Sequence, residues 1–183
     1  MEPLLHVVLP FVSLVLLGLK RRDAALLSLL GVVPDLDAVL LVHRSLSHSI
    51  LVMLFIFAPI YFYSWKYKPR HSRTVFLAFL VLASHPLLDL GGYTPILWPL
   101  LQNSVRLGIS LNGVVDKGIG FKPHLHLSQE PTNFIKYTSI DYPLFSYDGL
   151  LTAIILLAPI IYQQIQTKTT RAFIEKEINP NNT

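Results

Sequence analysis

Cysteine is absent from the 183 residues. A disulfide or a thiolate-held metal is therefore impossible, and cysteine usage says nothing about the redox compartment. Charge is scarce too: Asp, Glu, Lys and Arg make up 14% of the chain, against about 25% in an ordinary soluble domain. With 52% of residues hydrophobic, that balance excludes a typical water-soluble globule and points to the membrane class. There is no internal repeat and no GxSxG element, so Ser45, Ser47, Ser49 and Ser84 are read as hydrogen-bonding partners and not as nucleophiles. At about 20 residues per span, the length allows four to six crossings and no separate soluble domain. The net charge is +4, but the basic residues sit in short clusters beside apolar runs. The partner expected from them is the lipid bilayer and not a nucleic acid.

What remains is a set of apolar runs. Four are clear, at residues 4–19, 47–65, 74–90 and 149–162, each near spanning length. A fifth, residues 24–33, is short, and Pro34 removes a backbone donor and biases Val33 away from helical geometry. It crosses only if it resumes through residues 38–42. The expectation is an all-α integral membrane fold of about five transmembrane helices with a broken second helix. Residues 1–165 form one polytopic domain, and 166–183 a charged cytoplasmic tail that frays into disorder at NPNNT.

Lys20, Arg21 and Arg22 follow the first run, Lys66, Lys68, Arg70 and Arg73 separate the third from the fourth, and Lys168, Arg171 and Lys176 follow the last. Five spans put all three clusters on one side, so the positive-inside rule predicts an external N-terminus and a cytoplasmic C-terminus. Positive charge follows the first apolar run instead of preceding it, so cleavage as a signal peptide is not expected. Tyr61, Tyr63, Trp65 and Tyr67 fit an inner aromatic belt, and Trp98 an outer one. Residues 101–147 then lie outside. Val105, Leu107, Ile109 and Leu111 alternate ahead of Asn112-Gly113, a hairpin-turn dipeptide, which suggests a β-hairpin or lid.

Polar residues stand out against this background, above all in PDLDAVLLVHRSLSH. Counted as helical rise from the basic clusters, Asp35 lies about 20 Å away, His85 about 18 Å, Asp89 about 24 Å, His48 about 27 Å and His6 about 21 Å. All fall in the outer half of a hydrocarbon core about 30 Å thick. Ionisable groups facing lipid there cost on the order of 3 kcal/mol, so they are expected to turn inward to one another. His85 and Asp89, four apart, share a helical face and can bind one ion. Pro86 frees the Leu82 carbonyl beside them. Asp35 and Asp37 oppose each other on a regular helix, and the Pro34 break is expected to bring both to one centre. His43 and His48 need a turn between them, which RSLS supplies.

The candidate metal ligands are His6, Asp35, Asp37, His43, His48, His85 and Asp89. Imidazole and carboxylate donors without sulfur suit a divalent cation, with zinc first and manganese or iron as alternatives. Seven candidates exceed the needs of one ion, so either two ions bind or some residues orient the others. Arg44 can clamp a phosphate through its planar fork or snorkel to the interface. Elsewhere the plain readings prevail. His124 and His126 are expected to be surface histidines on a strand, Asp148 to cap the last helix, and His71 to be solvated at the cytoplasmic face.

Taken together, His6, the Pro34-Asp35-Leu36-Asp37 element, His43-Arg44 followed by His48-Ser49, Ser84-His85 with Asp89, and a nearby ILWPL segment resemble the YdjM-like membrane-bound metal-dependent hydrolases, over roughly residues 1–100. That resemblance implies an inner-membrane protein with metal-dependent hydrolase chemistry and names no substrate. The reading adopted is a hydrolase in which Asp37 serves as general base and Arg44 binds substrate, a lipid-linked phosphoester being the natural guess from depth. The rivals are an ion-coupled transporter, against which the missing repeat weighs, and a membrane scaffold tied by a structural polar or metal cluster.

Overall fold

The computed structural model describes residues 3–115, 119–139, 143 and 145–178. The expectation of disorder at residues 179–183 lies outside that range. The chain is mostly helical, with one two-stranded sheet. Helix α1 (Pro3–Leu16) starts with Pro3 in its first turn, where proline is preorganised and its missing amide costs nothing. It ends sooner than the apolar run does. Gly18 adopts φ +83°, its N–H donates to the Val15 carbonyl at 3.0 Å and that of Leu19 to Leu14 at 3.1 Å, which is the Schellman pattern of helix termination. Arg73 donates to the Leu17 carbonyl just beyond.

Helix α2 (Arg21–Ser28) passes directly into a twelve-residue 3-10 helix, Leu29–Leu40. The break expected at Pro34 is therefore displaced: α-helical winding stops six residues earlier, and no α-helix resumes after the proline. Helix α3 (Ile50–Tyr67) is capped by Ser49, whose hydroxyl accepts the Val52 N–H, and α4 (Pro69–Leu88) follows after Lys68 alone, with Pro69 in its first turn. Pro86 does not end α4 at once; the helix closes at Leu88 and tightens into a 3-10 turn, Asp89–Gly91. Helix α5 (Tyr147–Ile178) continues the last apolar run without interruption into the charged tail. Its capping falls to Ser146, whose Oγ accepts the Gly149 N–H at 3.2 Å. Asp148, expected to cap, instead sits in the first turn, where its charge complements the helix dipole.

Among the described residues, three helical stretches are long and apolar enough to cross a membrane: Ile50–Tyr67, Pro69–Gly91 and Tyr147–Thr167. Helix α1 is shorter, at 14 residues. Burial inside the chain separates them: 44% of the α4 stretch is covered, against 11% for α3 and 17% for α5. Thus α4 is the axis of the bundle, and α3 and α5 turn most of their apolar surface outward, as a lipid-facing helix must. The core is formed by Leu14, Ala24, Leu77 and Val81, which locks α1 and α2 against α4 just below the polar residues.

Strands β1 (Asn103–Val115) and β2 (Ile119–Pro131) pair antiparallel along their full length, from Asn103↔Pro131 to Val115↔Ile119. The hairpin expected from the alternation is present, but Asn112-Gly113 is not its turn. Those residues pair with Lys122 and Phe121 within the ladder, because alternation continues past them; the connection, residues 116–118, is outside the described range. Thr94 bridges to Val105 and so fixes the ribbon to the end of α4.

Candidate metal centre

The seven polar residues singled out above arrive from four segments: His6 from α1, Asp35 and Asp37 from the 3-10 helix, His43 and His48 from the turns after it, and His85 and Asp89 from the end of α4. Asp35, His48, His85 and Asp89 are all buried and can each offer one ligand atom within 4.8 Å of the others. Asp37, His43 and His48 form a second such group. His48, shared by both, is completely covered.

Local backbone explains how residues so close in sequence meet. An α-helix turns about 100° per residue and a 3-10 helix about 120°, which brings residues two apart from about 160° of separation to about 120°. Asp35 and Asp37 thereby lean to the same side. Leu41 (φ 58°) and Arg44 (φ 57°) then take left-handed conformations, each at a cost of roughly 1–2 kcal/mol for a residue with a side chain, and reverse the chain so that His43 and His48 fold back over the aspartates. The turn is fastened: Asp37 Oδ2 accepts from the Ser45 N–H and from the Ser47 hydroxyl, both at 2.9 Å. Tyr137, beyond the ribbon, donates its N–H to the Leu41 carbonyl at 2.8 Å.

Proton positions follow from these contacts. His85 Nδ1 lies 2.6 Å from the Gly31 carbonyl oxygen, which can only accept, so Nδ1 carries a proton and Nε2 is the ring atom turned to the cluster. That carbonyl is available for a specific reason. In a 3-10 helix it would accept from residue 34, and Pro34 has no N–H. His48 is set the same way: the Ser47 hydroxyl proton goes to Asp37, so the Ser47 oxygen, 3.1 Å from His48 Nδ1, accepts from it. Both Nε2 atoms consequently face inward, 3.1 Å apart. Asp35 Oδ1 is 3.2 Å from His85 Nε2 and 3.7 Å from His48 Nε2, and Asp89 Oδ2 is 3.7 Å from His48 Nε2. Two ring nitrogens and two carboxylate oxygens thus converge on one point, a donor set that a divalent cation would satisfy together.

The remaining candidates stand around this group. His6 stacks on His85 with ring centroids 3.9 Å apart and places Nε2 3.3 Å from Asp89 Oδ1. The Arg44 Nε is 3.6 Å from Asp89 Oδ2, and His43 Nδ1 is 3.7 Å from Asp37 Oδ1. These two side chains are 27% and 28% exposed while Asp89, His48 and His6 are shut off, so the cluster opens to the outside at His43 and Arg44. Asp35, Asp37 and Asp89 bring three buried carboxylates to the cluster, hard oxygen donors that suit a divalent ion beside imidazole. Asp37 Oδ1 and His6 Nδ1 are buried without a hydrogen-bond partner there, which agrees with polar capacity beyond what the chain itself satisfies. The donors present fit a divalent metal.

Sequence reading overlooked the residues that make room. A side chain at Gly31 would overlap the His6 carbonyl, and one at Gly92 would overlap the Arg44 guanidinium. The signal was a glycine inside an apolar run and another beside the SHPLLD segment, both legible as sites of close approach. Of the four serines, Ser45 and Ser47 hold Asp37, and Ser49 ties α3 to the Trp98 carbonyl at 2.5 Å. Ser84 only returns its hydroxyl to Val81 in its own helix. His124, His126 and His71 are exposed.

Comparison with curated proteins and with solved structures finds no match. The family model of the YdjM inner membrane protein matches residues 1–173, which extends the likeness well past residue 100 to include the ribbon and most of α5. With its buried His/Asp cluster at the end of an apolar helical bundle and a family match over nearly its whole length, the chain belongs to the YdjM inner membrane protein family.

Proposed function

We propose that this protein is a membrane-bound, metal-dependent hydrolase whose ligands are Asp35, His48, His85 and Asp89 and whose substrate is a lipid-linked phosphoester. The observation that carries the reading is the convergence of two inward Nε2 atoms and two carboxylates beside a third carboxylate, Asp37, that receives its Ser45 and Ser47 hydrogen bonds on Oδ2. A divalent cation, zinc in the first instance, would supply Lewis acidity to the scissile group and to an attacking water.

The protein's own part is positional. Asp37 keeps Oδ2 on Ser45 and Ser47, which fixes its plane, and leaves Oδ1 as the oxygen that takes a proton from water. Asp37 also lies 3.3 Å from His48 Nδ1 and so orients that ring from behind, as outer carboxylates do for metal-bound histidines. His6 and Arg44 hold Asp89 from two directions. Arg44 stands at the mouth, where its fork can turn to a phosphate.

Five crossings accommodate this placement. Helix α1 spans about 21 Å, and α2 with the following 3-10 helix contributes about 12 Å and about 24 Å of rise. The Arg73 contact with Leu17 and the Arg21 bonds to Gln164 and Ile160 draw basic residues of two clusters to one end of the bundle, away from the His/Asp group. This supports a cytoplasmic basic end, an external N-terminus and a site in the outer leaflet.

The test is release of phosphate or headgroup from a panel of lipid-linked phosphoesters by purified, zinc- or manganese-loaded protein. Asp37→Asn should turn over about 10²-fold more slowly or worse, in line with general-base contributions, while retaining metal and fold. Equal turnover in both proteins would remove Asp37 as the base. Absence of turnover by the wild type across the panel would favour the transporter or the scaffold.

A further inference from the structure

The β1–β2 ribbon has one face that no described residue covers. Direct partners in an antiparallel ladder project to the same side, so the pairs Leu107↔Leu127, Ile109↔Leu125, Leu111↔Pro123 and Gly113↔Phe121 build a single apolar face. It stands in the open: Ile109 is 75% exposed, Leu125 74% and Phe121 72%, with Leu111 and Leu127 also exposed. The opposite face carries Arg106, Ser110, Lys122, His124 and His126, with Glu130 at its root, and sets Ser110 opposite His124 and Gly108 opposite His126. A contiguous apolar face rimmed by basic and polar groups marks an interaction surface.

We infer that this ribbon lies flat on the bilayer, its apolar face sunk among the upper acyl chains and its basic face toward the phosphates and water. Three features select lipid as the occupant. The apolar surface is continuous with the membrane-spanning bundle: the ribbon is fixed to the end of α4 by the Thr94–Val105 bridge, and its root is flanked by exposed Leu100, Leu101 and Ile135 and by the Trp98–Phe134 ring pair, an interfacial signature. Arg106 and Lys122, set on the reverse face, complement anionic headgroups and can reach them by snorkelling. The ribbon is also two strands wide, so beyond the Thr94–Val105 bridge each strand has an edge that no other strand pairs among the described residues. Hydrocarbon cannot satisfy those backbone groups, which rules out a crossing orientation, whereas the interface supplies water and headgroup partners. Residues 107–113 and 121–127 extend this surface about 24 Å. Thr94 joins its root both to Val105 and, through its hydroxyl, to the Asp89 carbonyl, so the ribbon fixes the depth of the end of α4 relative to the headgroups. This inference stands whether or not the cluster is catalytic.

Because the chain has no cysteine, single-cysteine spin labels can be placed cleanly on the full-length protein in vesicles of phosphatidylethanolamine and phosphatidylglycerol. Ile109→Cys and Leu125→Cys should yield labels several-fold more accessible to oxygen than to a water-soluble nickel chelate. Ser110→Cys and His124→Cys, on the other face of the same pairs, should show the reverse ratio; these exposed positions tolerate a label without disturbing the core. Equal chelate access on both faces would overturn the inference and leave a ribbon free in water. So would shielding of positions 109 and 125 from both reagents with spin–spin broadening that grows with protein density, the mark of a second copy seated on the face.

Discussion

Two stretches deliver histidine and aspartate to the same point by opposite means. Residues 77–91 stay helical almost throughout, and His85 and Asp89, four apart, arrive as successive positions on one side of α4 and its closing turn. Residues 29–48 have no α-helical turn at all; they contribute Asp35, Asp37, His43 and His48 through 3-10 winding and two left-handed residues. The regular stretch fixes where ligands sit. The irregular one fixes which ring nitrogen of each histidine faces inward, because it supplies the Gly31 carbonyl to His85 Nδ1 and the Ser47 hydroxyl to His48 Nδ1. Irregular backbone at this depth is tolerated where it lines a polar, protein-enclosed centre.

The largest expected effect tests whether both stretches belong to one centre. His85→Ala from the helix and Asp35→Ala from the irregular stretch should each reduce metal to background in purified protein, measured by elemental analysis, with helical content retained. Loss from only the His85 variant would divide the two stretches and confine the centre to α4.

A smaller effect is expected one step back from the ligands. Pro34→Ala restores an N–H able to donate to the Gly31 carbonyl and so competes with His85 Nδ1 for it. Metal affinity should fall about 10- to 100-fold, the usual range for an outer partner of a ligating histidine, as read by chelator competition. Unchanged affinity would mean that the Gly31 contact does not set the His85 ring.

This comparison also explains what was legible in the sequence. The i, i+4 relation of His85 and Asp89 needs only a helix, and depth counting from the basic clusters placed His6, His48 and Asp35 level because rise per residue is nearly constant. The convergence of seven residues followed from the high cost of leaving any of them in lipid. Their pairings did not, since the displaced break, the left-handed Leu41 and Arg44, and the use of the Gly31 carbonyl depend on packing between α1, the 3-10 helix and α4 that has no signature in spacing. The ribbon shows the same limit. Alternation announced strands, yet Asn112-Gly113 promised a turn that the ladder runs through, because pairing of Leu111 with Pro123 and Gly113 with Phe121 prolongs one apolar face beyond it. Local turn preference lost to cross-strand pairing.

The finest distinction concerns two serines that sequence alone treats alike. Ser47 belongs to the irregular stretch and has two tasks: its proton goes to Asp37 Oδ2 and its oxygen receives that of His48 Nδ1. Ser84 belongs to the regular one and bonds the Val81 carbonyl three residues back, at 2.6 Å. It makes no hydrogen bond to the cluster among the described residues. Ser47→Ala should therefore free the His48 ring and one anchor of Asp37, weakening metal affinity about tenfold, at the low end of the range for outer partners, since the Ser45 N–H still holds the carboxylate. Ser84→Ala should change affinity less than about twofold, because the one bond it loses is to its own helix and no partner of the cluster is removed. The ratio between the two variants, measured in the same chelator titration, isolates the His48 arrangement from general effects of losing a hydroxyl. Equal affinities would show that the proton on His48 Nδ1 is held by Asp37 directly, across their 3.3 Å separation, and that Ser47 is a bystander.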